Sequence, residues 1–165
     1  MGDSFMITFV TLKEAIDFSV KLNNYLIKTP IFLNNTKKDK IILRTGISYG
    51  LVNKVFNTIQ GCKMIDFYGN VVNTASRMES HVSKPYGISI GFINETESNV
   101  NKIFMHLKKF KQYNINYLEY KNTCNQTKHK RSSKLLHDLN YTCININKLK
   151  GIKQVKVLDL VYNNN

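Results

Sequence analysis

In the segment Asp66-Phe-Tyr-Gly-Asn-Val-Val-Asn-Thr-Ala-Ser-Arg-Met-Glu-Ser80 an amide, Asn73, stands four residues before a guanidinium, Arg77. At roughly 100° per residue on a helix, these two share a face. By the same rotation Val71, Ala75, Met78 and Val82 fall in one narrow stripe, the face that a helix must bury. Asn73 and Arg77 then lie roughly opposite, pointing away from their own domain. A planar donor fork beside an amide on a rigid element suits a polyphosphate arriving from a partner surface. A plain solvated helix face has the same spacing. Asp66 poses a different problem, because Met64-Ile-Asp-Phe-Tyr68 sets a carboxylate inside an apolar strand, where desolvation demands a donor. A ligand amine would supply one, and so would backbone amides. Gly2-Asp3 ahead of an apolar run sets a carboxylate at a tight turn, a position open to a hard cation. Gly-Asp turns are also common without any metal.

These side chains need elements to hold them. Phe5–Val10 reads as a strand, and Thr11-Leu-Lys-Glu14 is a capping box opening a helix with Leu12, Ala15, Ile16, Leu22 and Leu26 at helical spacing, ended by Pro30. Asn34–Lys40 reads as a polar loop, Ile41–Val52 as a strand punctuated by Gly46 and Gly50, and Lys63–Tyr68 as another strand. Gly69 leads into the Val71–Val82 helix, and Gly87–Gly91 is a short strand. Asn94-Glu-Thr-Glu97 is a second capping box, opening a helix with Val100, Ile103, Phe104 and Leu107 on one face. Residues 108–140 lose periodicity and contain Lys128-His-Lys-Arg-Ser-Ser133, so a basic loop insertion is expected there. Tyr141–Asn147 and Val155–Tyr162 then read as a closing β-hairpin turned at Lys150-Gly151. Strands alternating with helices predict an α/β chain.

A chain of 165 residues with 42% apolar and 21% charged side chains is one globular domain's worth and excludes wholesale disorder. Its apolar runs are too short to span a bilayer, and no basic n-region precedes one at the N-terminus, so neither a membrane segment nor a secretory leader is expected. Cys62, Cys124 and Cys143 are odd in number and form no Cys-x-x-Cys pair, which argues against a disulfide framework and for a reducing compartment. Nor do the histidines at 81, 106, 129 and 137 complete a zinc spacing with them. The net charge of +13 is uneven: residues 1–100 hold 11 Lys/Arg against 8 Asp/Glu, and the remainder 13 against 3. Only three of the basic residues are Arg, and Lys, Asn and Ile dominate throughout. Compositional bias toward A- and T-rich codons explains this better than a nucleic-acid surface does.

Taken in order, Gly2-Asp-Ser-Phe-Met6, Arg44-Thr-Gly-Ile-Ser-Tyr-Gly50, the Asp66–Ser80 segment, and Leu149-Lys-Gly-Ile152 followed by Val155-Lys-Val-Leu158 resemble the class III adenylate/guanylate cyclase catalytic domains. The likeness covers nearly the whole chain apart from 108–140. It implies an α+β sandwich with a ferredoxin-like core, working as a head-to-tail dimer with an identical or paralogous domain. The implied reaction converts ATP to 3′,5′-cyclic AMP and pyrophosphate with two Mg²⁺ (or Mn²⁺) per site. By similarity Asp3 is one of two metal-holding aspartates, Asp66 accepts from the purine and selects adenine, and Asn73 and Arg77 stabilise the transition state from across the dimer interface.

Family domains also open with a strand carrying the first metal aspartate, followed by helices and a strand with a lysine three residues before the Gly-Asp turn. Residues 1–165 therefore read as a single partial domain lacking its first strand and helices, inactive alone. Guanine-specific members carry Cys where Asp66 stands, which favours ATP over GTP. A guanylate cyclase, or a catalytically inactive, regulatory half, is the alternative. RNA-recognition modules share the ferredoxin-like core, but the Lys/Arg-Gly-Phe/Tyr-like aromatic run they stack bases on is missing, so no nucleic-acid partner is expected. The expected setting is cytoplasmic, with the longer protein free to be membrane-attached.

Overall fold

The computed structural model describes residues 4–33, 40–59, 61–121, 139–145, 149 and 152–163. The chain falls into two compact units, Met1–Ile41 and Ile42–Asn165.

The first unit is built on one helix, α1 (Leu12–Lys28), and its capping box forms as read: the Glu14 amide donates to Thr11 Oγ1 (3.2 Å) and the Thr11 amide to Glu14 Oε2 (2.9 Å). Two orphan donors of the first turn are thereby satisfied. Ala15, Ile16, Val20 and Leu26 form the buried face together with Ser19 and Asn23. The helix stops at Lys28, two residues before Pro30. The strand expected over Phe5–Val10 does not form, and Phe5, Met6, Ile7, Phe9 and Val10 are exposed. A strand exists by pairing, and no described segment offers these residues a ladder.

Among its described residues the second unit holds seven strands: β1 (Thr45–Tyr49), β2 (Asn53–Ile59), β3 (Cys62–Tyr68), β4 (Ile88–Phe92), β5 (Tyr113–Lys121), β6 (Asn140–Asn145) and β7 (Gln154–Tyr162). Its helices are α2 (Asn70–Arg77), which continues into a π turn over Met78–Val82, and α3 (Glu97–Leu107). Five strands form a mixed sheet in the order β1-β4-β7-β5-β6, parallel at β1/β4 and β5/β6 and antiparallel at β4/β7 and β7/β5. β2 and β3 pair separately as an antiparallel hairpin. Counting α1, the described residues make a mixed α/β fold with three α-helices. Every residue of β4 is buried, as expected of an inner strand covered on both faces. One core cluster joins Met78 and Val82 of the π turn to Tyr120, Leu149, Val155 and Val157.

Several expectations are corrected here. Within Ile41–Val52 only Thr45–Tyr49 is strand, and β2 follows where no element was expected. Within 108–140, read as a loop insertion, Tyr113–Lys121 is β5, bonded to strands on both sides; residues 122–138 lie outside the described residues, as do residues 34–39. The closing hairpin does not form, since β5 sits between β6 and β7. α3 is capped by Thr96, whose hydroxyl accepts from the Asn99 amide, rather than by Asn94, which takes a positive φ of 55°. Cys143 is disulfide-bonded, against the expectation that the cysteines form no disulfide framework.

Candidate active site

The hairpin alternates its side chains, so Asn53, Val55, Asn57, Asp66 and Tyr68 share one face. Asp66 stands opposite Val55, which makes Asn57 its diagonal neighbour across the ladder. The Asn57 side-chain amide donates to Asp66 Oδ2 at 2.6 Å, and the Tyr68 hydroxyl reaches the same oxygen at 3.3 Å. Asp66 is half-buried rather than sunk in an apolar core, and side chains rather than backbone amides satisfy it. A two-stranded ribbon leaves both its faces partly open, and Val55, Phe56, Ile65 and Tyr68 are all exposed.

Gly69 ends the hairpin with φ of 132° and serves as the N-cap of α2, its carbonyl accepting from the Asn73 amide at 3.1 Å. The buried line of the helix is Thr74, Met78 and Val82, with Val71 and Ala75 half-buried beside it. Asn73 is exposed and Arg77 half-buried at the flank of the buried face. Asn73 is thus turned to solvent, while Arg77 sits beside the buried line rather than opposite it.

α2 lies on the sheet through two glycines. A Cβ at Gly46 of β1 would run into the Ala75 carbonyl oxygen and the Glu79 amide nitrogen, and one at Gly91 of β4 would come within 2.7 Å of Thr74 Cγ2. No side chain fits between β1 and this helix. The helix then widens into the π turn, where the Ser83 amide bonds to the Met78 carbonyl five residues back at 2.8 Å. More residues per turn bring a four-residue step closer to one full rotation, so His81 stacks over Arg77 and its Nε2 lies 3.3 Å from Arg77 Nη1. A guanidinium only donates, so the imidazole nitrogen accepts. Arg44 Nη2 pairs with Glu79 Oε1 at 3.0 Å, tying the turn to the segment leading into β1. Sequence reasoning missed Asn57, Tyr68, His81 and the Arg44–Glu79 pair. The i, i+4 relation of Arg77 to His81 would have found one of them. The others needed β2 and the approach of β1 to the helix.

Asp3, the expected metal ligand, lies outside the described residues. Among the described residues no group of three His, Cys, Asp or Glu side chains gathers, so they do not by themselves fit a metal ion.

A second polar cluster lies within the sheet. Asp159 on β7 is buried, and burial raises its carboxyl above the usual range against the opposing effects of the Ser89 hydroxyl (2.6 Å), the Lys84 charge and Asn116. Burial, with the Asp159 charge added, pushes the Tyr120 phenol up. Burial also works to raise Glu119 on β5, yet hydrogen bonds from Tyr141 and Gln154, with Lys121 close by, hold it below its ordinary value.

Comparison with known proteins adds one match. The family model described as adenylate and guanylate cyclase catalytic domain matches residues 1–121, from the N-terminus to the end of β5. No curated protein and no solved structure matches the chain. No described helix is long and apolar enough to cross a membrane.

Proposed function

The chain belongs to the adenylate and guanylate cyclase catalytic domain family, whose reaction class is the phosphorus–oxygen lyase, and on that premise we propose that it is an adenylate cyclase domain. The reaction forms a bond between the ribose 3′ oxygen and the α-phosphorus of ATP, breaks the bond from that phosphorus to the bridging oxygen, and releases pyrophosphate and the hydroxyl proton. Negative charge builds on the phosphate oxygens as this happens. Arg77 is the residue we assign to that charge, with Asn73 beside it as a neutral donor. The observation that carries the reading is their common placement: one buried line seats α2 on the sheet, and both side chains lie off that line.

An outward pair cannot close a site alone, so the proposal includes a second cyclase domain, identical or paralogous, that brings the nucleotide's other contacts. Mg²⁺ or Mn²⁺, two per site, belongs to the same proposal, with Asp3 as one of its ligands. The described residues assemble no ligand group.

Base choice falls to Asp66. Its carboxylate is held by donors and remains half-open, which suits an acceptor for the exocyclic amine of adenine. Guanine would oppose a carbonyl oxygen to it, two acceptors with no proton between them. A buried mismatch of this kind costs on the order of 1–3 kcal/mol, or roughly ten- to a hundredfold in kcat/KM. The test is product identification from ATP and from GTP, using the chain with a complete second catalytic domain, followed by the same assay on Asp66→Cys. ATP should be preferred, and the substitution should erode the preference. Better use of GTP by the wild type would overturn the adenylate reading.

A further inference from the structure

Asp66 has two oxygens, and its neighbours treat them unequally. The Asn57 amide and the Tyr68 hydroxyl both donate to Oδ2, and no donor among the described residues reaches Oδ1. The arrangement follows from the hairpin: Tyr68 is two residues along the same strand, Asn57 is diagonal on the partner strand, and period-2 alternation puts all three on one face. The carboxylate only accepts, so Asn57 must present its NH₂ here, and its own carbonyl oxygen points elsewhere.

We propose that Asn57, assisted by Tyr68, sets the base specificity of this site by pinning Oδ2, so that Asp66 offers the purine one fixed acceptor, Oδ1. This rests on the adenine-reading role proposed for Asp66 and adds to it. A carboxylate that turns freely about its terminal bond can re-aim. It accepts from the exocyclic amine of adenine, or it swings to the ring N–H of guanine, which is also a donor. Discrimination then falls, because the wrong base finds a partner instead of an unpaired acceptor. Two donors on one oxygen remove that freedom, and the 2.6 Å amide contact is the shorter of the two. Asn57 does not touch the base in this account. It is a positioning residue.

The experiment measures equilibrium binding of ATP and of GTP to the chain paired with a complete second catalytic domain, and reads the ratio of the two affinities. Because the readout is binding, it does not depend on turnover. The variants are Asn57→Leu, similar in shape and without a donor; Asn57→Gln, which keeps the amide; Tyr68→Phe, which deletes the weaker contact; and Asp66→Ala. Asn57→Leu should lower the preference for ATP roughly five- to tenfold, the weight of about one ordinary hydrogen bond, mainly by tightening GTP. Tyr68→Phe should lower it by less, and Asn57→Gln should restore part of the loss. If Asp66→Ala collapses the ratio while Asn57→Leu and Tyr68→Phe leave it within twofold, pinning is wrong and Asp66 still reads the base. A ratio unmoved by Asp66→Ala removes the base-reading role itself, and this inference with it. If Asn57→Leu fails to fold, Tyr68→Phe decides: an unchanged ratio in a folded protein overturns the proposal.

Discussion

Replacing Gly46 by Ala tests the seat of the candidate catalytic helix. The added methyl would meet two backbone atoms of the helix, the Ala75 carbonyl oxygen and the Glu79 amide nitrogen, and Glu79 Cα lies 3.0 Å away as well. Backbone cannot swing aside as a side chain can, so α2 and the π turn must lift off β1 together. Overpacking of this kind costs roughly 1–3 kcal/mol, and two simultaneous backbone clashes place Gly46→Ala toward the upper end. For a chain of this size each kcal/mol lowers Tm by about 2–4 °C, which gives a loss of roughly 5–10 °C by circular dichroism. Gly91→Ala is the internal comparison, because its new methyl meets Thr74 Cγ2 at 2.7 Å and the Met78 side chain at 3.1 Å, atoms that can turn away in part. It should cost less. A helix lifted by about 1 Å also displaces Asn73 and Arg77, and a misplacement of that size costs about a hundredfold in rate. Cyclase activity with a complete partner domain, measured well below the lowered Tm, should therefore fall further than stability alone explains. A Gly46→Ala protein that keeps its Tm within a degree would refute the close seating of α2 on β1, and with it the argument for where Arg77 points.

Arg77→Ala, in the chain paired with a complete domain, should lower kcat by roughly 10²–10³ with little change in KM, and Asn73→Ala should act in the same direction more mildly; steady-state kinetics on folded variants checks both. Thr74 is buried and its hydroxyl finds no partner among the described residues, so Thr74→Val, of nearly the same shape, should leave stability unchanged or raise it by up to about 1 kcal/mol in urea unfolding. The Asp159 carboxyl is raised in the folded chain above its ordinary 3.8, so as pH climbs from that value through the native one the unfolded state ionises first and stability falls. Asp159→Asn removes that titration, and the difference in unfolding free energy between wild type and variant should shift against the wild type across this window and level off above it. A difference flat in pH would contradict the burial argument. Activity that depends on two domains meeting should also rise faster than linearly with protein concentration when the chain is diluted with its partner, and strict proportionality would argue against a shared site.

How much of this was legible beforehand depended on whether the signal was local. The capping box at Thr11 and Glu14, the stop before Pro30, and the buried line through Met78 and Val82 are set by residues three or four apart, and the side-chain chemistry that fixes them lies within one turn. That same period put Asn73 and Arg77 on one face, and the ordered motifs identified the family. Strands carry no such local warrant. Tyr113-Asn-Ile-Asn-Tyr117 does alternate, but the pattern slips by one residue at Leu118 and sits in a stretch read as loop; pairing with β7 and β6 makes Tyr113–Lys121 a strand. Phe5–Val10 is a nearly continuous apolar run and forms none, because none of the described residues pairs with it. The final two strands read as a hairpin from their nearness in sequence, yet β5 separates them, since the register of β7 is decided by β4 and β5 together. The donors that hold Asp66 depend on the same long-range choice. Its residue type was plain in the sequence, but which of its oxygens the neighbouring side chains tie was decided only when β2 folded back against β3, because a ladder's register is a property of two segments and of neither alone.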